Sequence, residues 1–91
     1  MNINVIELVT GIIIVADVEE MDEEPSCFLK NCREVLEEDG QLLLKKWPKY
    51  TDETDALIYS DRITTISQPN DELTSLYKDT INSSIFIPMS S

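Results

Sequence analysis

Two apolar runs separated by a glycine decide the fold of this chain, and they occupy residues 2–20, NINVIELVTGIIIVADVEE. Residues 2–9 are rich in β-branched side chains, and Thr10-Gly11 follows as a turn signal. Residues 12–20 then alternate, and one of their faces carries Ile12, Ile14, Ala16 and Val18. The pattern predicts two strands joined at Gly11, where we expect a positive φ angle.

Three further strands are predicted over residues 27–36, 41–47 and 56–66. Asp39-Gly40 predicts a hairpin between the first two of them, because Asp-Gly adopts positive φ readily. Both faces of 27–36 mix apolar and polar side chains, which indicates a bent strand.

One helix is predicted, over about residues 70–82. Asn70 or Asp71 can cap its first turn, and the acidic residues there suit the helix dipole. The apolar residues at helical spacing are Leu73, Leu76, Tyr77 and Ile81.

A sheet of short strands joined by hairpins buries its apolar face best when the sheet curls into a barrel, and this closure also removes most unpaired strand edges. We therefore predict an all-β fold, a small, strongly bent five-stranded barrel with one C-terminal helix. The prediction assigns residues 1–82 to a single domain and residues 83–91 to an apolar tail.

Composition excludes several classes of function. The 91 residues include 18 acids, 7 bases and no histidine, for a net charge of −11. The absence of histidine excludes histidine-based catalysis and metal binding by histidine. The negative net charge opposes unassisted binding to nucleic acid or to an anionic membrane. We expect no catalytic residues, no cofactor and no metal, and hence a protein that is not an enzyme.

The two cysteines, Cys27 and Cys32, cannot form a four-ligand zinc site within one chain without histidine unless carboxylates contribute. Reduced thiols in the cytoplasm fit this pattern best. The apolar run 12–16 has no basic residues before it and is too short to span a bilayer. We therefore expect neither a signal peptide nor a membrane segment.

Two motifs resemble those of the Sm-like family, which includes the Sm and Lsm proteins and bacterial Hfq. The second motif resembles Arg62-Ile63-Thr64-Thr65-Ile66. The positions that resemble the first are Leu8, Thr10, Gly11, Ile12, Ile14, Ala16, Val18 and Asp22. The resemblance implies an Sm-like barrel that forms oligomers through its strand edges and, in the family, binds RNA.

The chain is also similar to uncharacterised Sm-like proteins of marine tailed phages and marine environmental sequence. The matching elements are Thr10-Gly11, Trp47-Pro48, Asp61-Arg62-Ile63-Thr64-Thr65-Ile66 and Pro69-Asn70-Asp71-Glu72. This resemblance implies the same fold and a phage origin, in the cytoplasm of a bacterial host, but no function.

The RNA-contacting residues of the family are mostly replaced here. Ser26 stands near the position of the family's uridine-pocket asparagine, and Ile63 replaces the glycine after the motif arginine. The family's N-terminal helix has no counterpart, because a strand begins near Asn2.

The candidate contact residues for RNA or a partner are Arg62, Trp47, Lys45, Lys46 and Lys49. Lysines beside an aromatic ring can bind single strands. Each residue also has a plainer interpretation. Arg62 can pair with Asp61, Trp47 can lie partly in the core, and the lysines can shield a strand edge from pairing.

Two acidic groups have similar alternatives. The run 17–24 suits a hard cation by ligand type, but it lacks an EF-hand spacing, so a solvated loop is the favoured interpretation. Asp52, Glu53 and Asp55 could form an acid and base pair, but nothing in the sequence places them in a cleft.

These observations favour a non-enzymatic Sm-like assembly or protein-interaction module, a homo-oligomer formed through strand edges that engages a protein partner. The alternative is an RNA-binding Sm-like or Hfq-like ring, which the net charge disfavours. A weaker third interpretation is an acidic decoy that mimics DNA and binds a basic protein.

Overall fold

A computed structural model describes residues 1–20 and 26–86, which form six strands and one α-helix. All paired strands are antiparallel. A single 3₁₀ turn, Ser60–Arg62, separates the last two strands. The elements are β1 (Ile3–Leu8), β2 (Ile13–Glu20), β3 (Ser26–Glu38), β4 (Gln41–Lys46), β5 (Ala56–Tyr59), β6 (Ile63–Ser67) and α1 (Asp71–Phe86).

The predicted fold class is confirmed at the level of a small, mostly antiparallel β-structure with one C-terminal helix. The strand count is corrected from five to six, because the 3₁₀ turn divides the predicted strand 56–66. The sheet order is β4-β3-β2-β1-β6, and β5 pairs with β3. Among the described residues β5 and β6 do not pair with each other, so the hydrogen-bonded sheet is open, whereas the prediction was a closed barrel.

The bend expected in the third strand lies at Asn31. The first part of β3 pairs with β5 and its last six residues pair with β4. Between them Asn31 has φ +52°, and the register with β2 shifts. The backbone N–H of Asn31 donates to Asp55 Oδ1 at 3.0 Å, and that of Cys32 donates to the Thr54 carbonyl at 2.7 Å. Along the edge that faces away from β2, β3 therefore pairs with two strands, β5 and then β4.

The sheet buries side chains on both faces. One face forms a first core of buried residues: Ile6, Leu8, Ile14, Ala16, Val18, Cys27, Leu29, Cys32 and Ile58. On the other face α1 covers a second core, whose buried members are Val15, Leu73, Tyr77 and Ile81. The predicted helix face is thus confirmed at three positions, and Leu76 is half-buried.

Helix α1 begins where it was predicted to begin, and it ends later. Asn70 is the cap, since its Oδ1 accepts from the Leu73 N–H at 2.8 Å. The helix continues to Phe86, so the first four residues of the predicted tail 83–91 are helical. The remaining tail, 87–91, lies outside the described residues.

Both predicted glycine turns are confirmed. Gly11 has φ +93°, and the hairpin turn has φ +52° at Asp39 and +80° at Gly40. A β-branched residue is strained in this region of backbone conformation.

Gly11→Val is expected to lower the free energy of unfolding by about 1–3 kcal/mol, because valine must adopt the positive φ. An added Cβ at Gly11 meets no atom within 4 Å, so the loss would come from the backbone and not from a clash. Urea denaturation measures it, with Gly11→Ala as the less strained control. A Gly11→Val curve that matches the wild type would contradict the turn assignment.

Candidate functional site

The lysines predicted as contacts lie together at the end of β4 and just beyond it. Lys45 and Lys46 end the strand, Lys49 follows, and all three are exposed. We call Lys45, Lys46 and Lys49 the lysine cluster. Trp47 is half-buried and packs against the first core, which corresponds to the plainer of its two interpretations.

The aromatic ring available beside the lysine cluster is that of Tyr50, which the sequence reasoning missed. Tyr50 is fully exposed and has φ +64°. It lines an open groove of about 700 Å³ together with Lys45, Lys46, Pro48, Lys49, Thr51 and Asp52. Its place one residue after Lys49 was the available signal, but the sequence alone does not say which of Trp47 and Tyr50 is buried.

Lys46 is held within this groove. Its Nζ donates to the Thr51 carbonyl and lies 3.8 Å from Asp52 Oδ1. In the described part of the chain, Lys45 and Lys49 have no carboxylate within ion-pair distance. The groove therefore presents two unpaired ammonium groups and one exposed aromatic ring.

Arg62 belongs to a different groove. Its Nε lies 3.9 Å from Asp61 Oδ1, the pair that the sequence suggested, and the arginine remains largely exposed. This second groove has a volume of about 280 Å³ and is lined by Leu8, Val9, Thr10, Leu57, Ile58, Tyr59 and Arg62. The structure therefore does not bring Arg62 and the lysine cluster into one site.

Three exposed apolar side chains line the second groove, Val9, Leu57 and Tyr59, and a fourth, Ile66, lies on β6; the sequence reasoning also missed these four. We define the β5–β6 surface as Val9, Leu57, Tyr59 and Ile66, whose exposed fractions are 55%, 49%, 57% and 43%. Among the described strands β5 pairs only with β3, and β6 only with β1. Each of these two strands thus has one unpaired outer edge. The signal was the alternation of Leu57 and Tyr59 around buried Ile58.

The carboxylates considered for acid and base chemistry form an open, exposed group. Asp52, Glu53 and Asp55 line a groove with Phe28 and Thr54. Asp55 already accepts the Asn31 N–H. Across residues 1–20 and 26–86, no group of three or more acidic or cysteine side chains is arranged to hold a metal ion. Of the acidic run, Glu19 lies 3.4 Å from Lys30, and residues 21–25 lie outside the described ranges.

Each core contains one buried ionisable group, Cys32 in the first core and Tyr77 of α1 in the second. Burial raises the pKa of the Cys32 thiol from 9.0 to about 12, and the nearby Asp55 charge acts in the same direction. Burial likewise raises the pKa of Tyr77 from 10.0 to about 12. Neither group is suited to serve as a nucleophile or base near neutral pH.

Alkaline pH is expected to destabilise the fold through these two groups. Because both pKa values are raised in the folded protein, the unfolded chain loses these protons at a lower pH than the folded chain does. The free energy of unfolding is therefore undiminished below about pH 9 and falls as the pH rises toward 12. Thermal unfolding across this range measures the effect, and Cys32→Ala is expected to make the fall shallower. An unchanged slope in Cys32→Ala would contradict the burial of that thiol.

The helix that the described ranges contain is not long and apolar enough to cross a membrane. Residues 1–82 match the model of DUF6561, described as a family of unknown function. No curated protein matches the chain.

Proposed function

Because the chain belongs to DUF6561, a family of unknown function, we propose a role from its own surfaces: it is a non-enzymatic, self-assembling module. We further propose that its curved sheet is Sm-like. The support is that β5 and β6 pair with opposite parts of the sheet, on β3 and β1, and are joined by one 3₁₀ turn. Five strands are thereby connected in a cycle around the first core.

The single observation that carries the proposed function is the β5–β6 surface. Unpaired strand edges are sites for pairing with another chain unless charges or covering segments block them. Here the two edges carry Leu57, Tyr59 and Ile66 instead of charges. Tyrosine and other large apolar side chains dominate the centres of protein interfaces.

Assembly through this surface is head-to-tail. The outer edge of β5 in one copy meets the outer edge of β6 in the next, so two different patches are joined. Such heterologous contacts generate rings when the rotation closes. The exposed apolar side chains and the 280 Å³ groove beside Arg62 are then covered by the neighbouring copy.

Light scattering on a sizing column, with the ultraviolet spectrum of each peak, tests this proposal on protein purified without nuclease. The expected result is a particle of at least two chains that is free of nucleic acid. A clean monomer at high concentration would overturn the proposal.

The RNA-binding ring is retained as a second candidate because Tyr50 lies exposed beside unpaired Lys45 and Lys49, an arrangement suited to base stacking and phosphate contact. An oligomer that elutes with nucleic acid, and loses it on Tyr50→Ser but not on Arg62→Ala, would favour this function over the first. The cytoplasmic location and the phage origin stay predictions.

A further inference from the structure

The β3–β4 hairpin carries opposite charges at its two ends. Its turn end holds the exposed acids Glu37, Glu38 and Asp39, which we call the acidic tip. Its other end holds the lysine cluster. Glu38 stands opposite Gln41, and Lys45 lies four residues further along the same face of β4, or roughly 14 Å away, and among the described residues no ion pair joins the two ends within one hairpin.

Both ends carry charges without ion-pair partners in the described part of the chain: the whole acidic tip at one end, and Lys45 and Lys49 at the other, where Lys46 pairs with Asp52. In residues 1–20 and 26–86, no cation lies within ion-pair distance of Glu37, Glu38 or Asp39. At the other end, Lys46 stands directly opposite Arg33 in the ladder, and Arg33 is only 9% exposed. Like charges placed opposite each other are unfavourable. Glu34 stands opposite Lys45 in the same ladder, but among the residues described it makes no ion pair with it, and Lys49 has no ion pair either, so this end would gain from an acidic neighbour.

The outer edge of β4 is open to a partner strand. Within the described ranges, the backbone of β4 pairs only with β3. Its central residues, Leu42, Leu43 and Leu44, are all half-buried, and two of them pack under α1. A leucine-rich strand with an unpaired edge is a template for strand addition.

We propose that a second copy of this chain pairs its β4 antiparallel to this β4 and forms a two-fold dimer. Only the antiparallel arrangement sets the acidic tip of each copy against the lysine cluster of the other, whereas a parallel one would align like charges. Residues directly opposite in a sheet share a face, so Leu43 faces its own counterpart and Leu42 faces Leu44 of the second copy. The contact is self-complementary and closes at two chains.

Charge reversal tests the pairing of the two ends. Glu37→Lys/Glu38→Lys reverses the tip, and Lys45→Glu/Lys49→Glu reverses the lysine cluster, all at exposed positions. Each double variant is expected to weaken the dimer at least about tenfold, because each reversal acts twice across the two-fold axis. Equal amounts of the two variants are expected to form a mixed dimer. Failure of the mixture to associate, or unchanged association of each variant alone, would overturn the proposal.

These variants are best measured in the Leu57→Ser/Tyr59→Ser background, where the β5–β6 surface is disabled. If the Leu57→Ser/Tyr59→Ser protein is still a dimer and charge reversal weakens that dimer, the contact is the one through β4. If the Leu57→Ser/Tyr59→Ser protein is a monomer, the β4 dimer is overturned, while the proposed function is unaffected. If the Leu57→Ser/Tyr59→Ser protein remains an oligomer larger than a dimer, assembly does not depend on the β5–β6 surface and the proposed function fails. The cross-linking experiment below then still tests the β4 contact.

Disulfide cross-linking between copies tests where the two-fold axis of the proposed dimer lies. Antiparallel pairs place Cα atoms about 4.5–5.5 Å apart, which suits a disulfide. Leu43→Cys is therefore expected to give a covalent dimer under mild oxidation, and Tyr50→Cys, a fully exposed control, is not. Cross-linking through Tyr50→Cys and not through Leu43→Cys would overturn the proposal.

Discussion

Tyr77→Ala is expected to lower the free energy of unfolding by about 3–5 kcal/mol, as removal of a buried aromatic ring does elsewhere. Tyr77 has no exposed surface and lies at the centre of the second core. Its hydroxyl donates to the Asn31 carbonyl at 2.9 Å, at the point where β3 bends. The substitution therefore leaves a cavity under α1 and removes a tie between the helix and the bend.

Two controls separate these contributions. Tyr77→Phe keeps the ring and loses only the hydroxyl, so we expect a smaller loss of about 1–2 kcal/mol. Leu76→Ala alters a half-buried neighbour on the same helix. Chemical denaturation with a helix signal and a sheet signal measures all three. If Tyr77→Ala destabilised the protein less than Leu76→Ala, the assignment of Tyr77 to the second core would be wrong.

Leu57→Ser/Tyr59→Ser is expected to weaken assembly by roughly 30- to 1,000-fold, equivalent to about 2–4 kcal/mol for two interface side chains. Both residues are about half exposed in the single chain and belong to β5, whose outer backbone edge is unpaired among the described strands. Their loss removes apolar contact area between copies, while Ile58, the residue of β5 that belongs to the first core, is unchanged.

Tyr50→Ser is the matched control, because it makes the same chemical change on a tyrosine that is even more exposed but lies in the other groove. Sedimentation velocity over a dilution series gives the assembly constants, and thermal melting confirms that each variant is folded. Association that survived in the β5 variant but was lost in Tyr50→Ser would move the interface to the lysine cluster.

Local signals in the sequence were sufficient for much of the fold. The positive φ angles at Gly11 and in the Asp39-Gly40 turn follow from residue type, as does the Asn70 cap. The helix was predicted over about residues 70–82 and extends four residues further, since no glycine or proline lies between Asp71 and Phe86. Serine lowers helix propensity only slightly, so the helix continues to Phe86.

The pairing partners of β5 and β6 were not predictable in the same way. Which strand lies beside Ile58 or Ile66 depends on contacts far apart in sequence, with Cys27 and Ile6 respectively. The same holds for the candidate site. Trp47 and Tyr50 both adjoin lysines, and only the packing of the first core decides that Tyr50 is exposed.

Hydrogen exchange of the backbone amides, measured at low and high protein concentration, tests the central claim most directly. Peptides covering β5 and β6 are expected to gain protection as concentration rises, because their outer N–H groups become bonded to a neighbouring copy. Peptides from the inner strands β1 and β2 serve as the internal reference, since both of their edges are already paired. Equal exchange of the β5 and β6 amides at both concentrations, in a sample whose mass shows association, would contradict assembly through this surface.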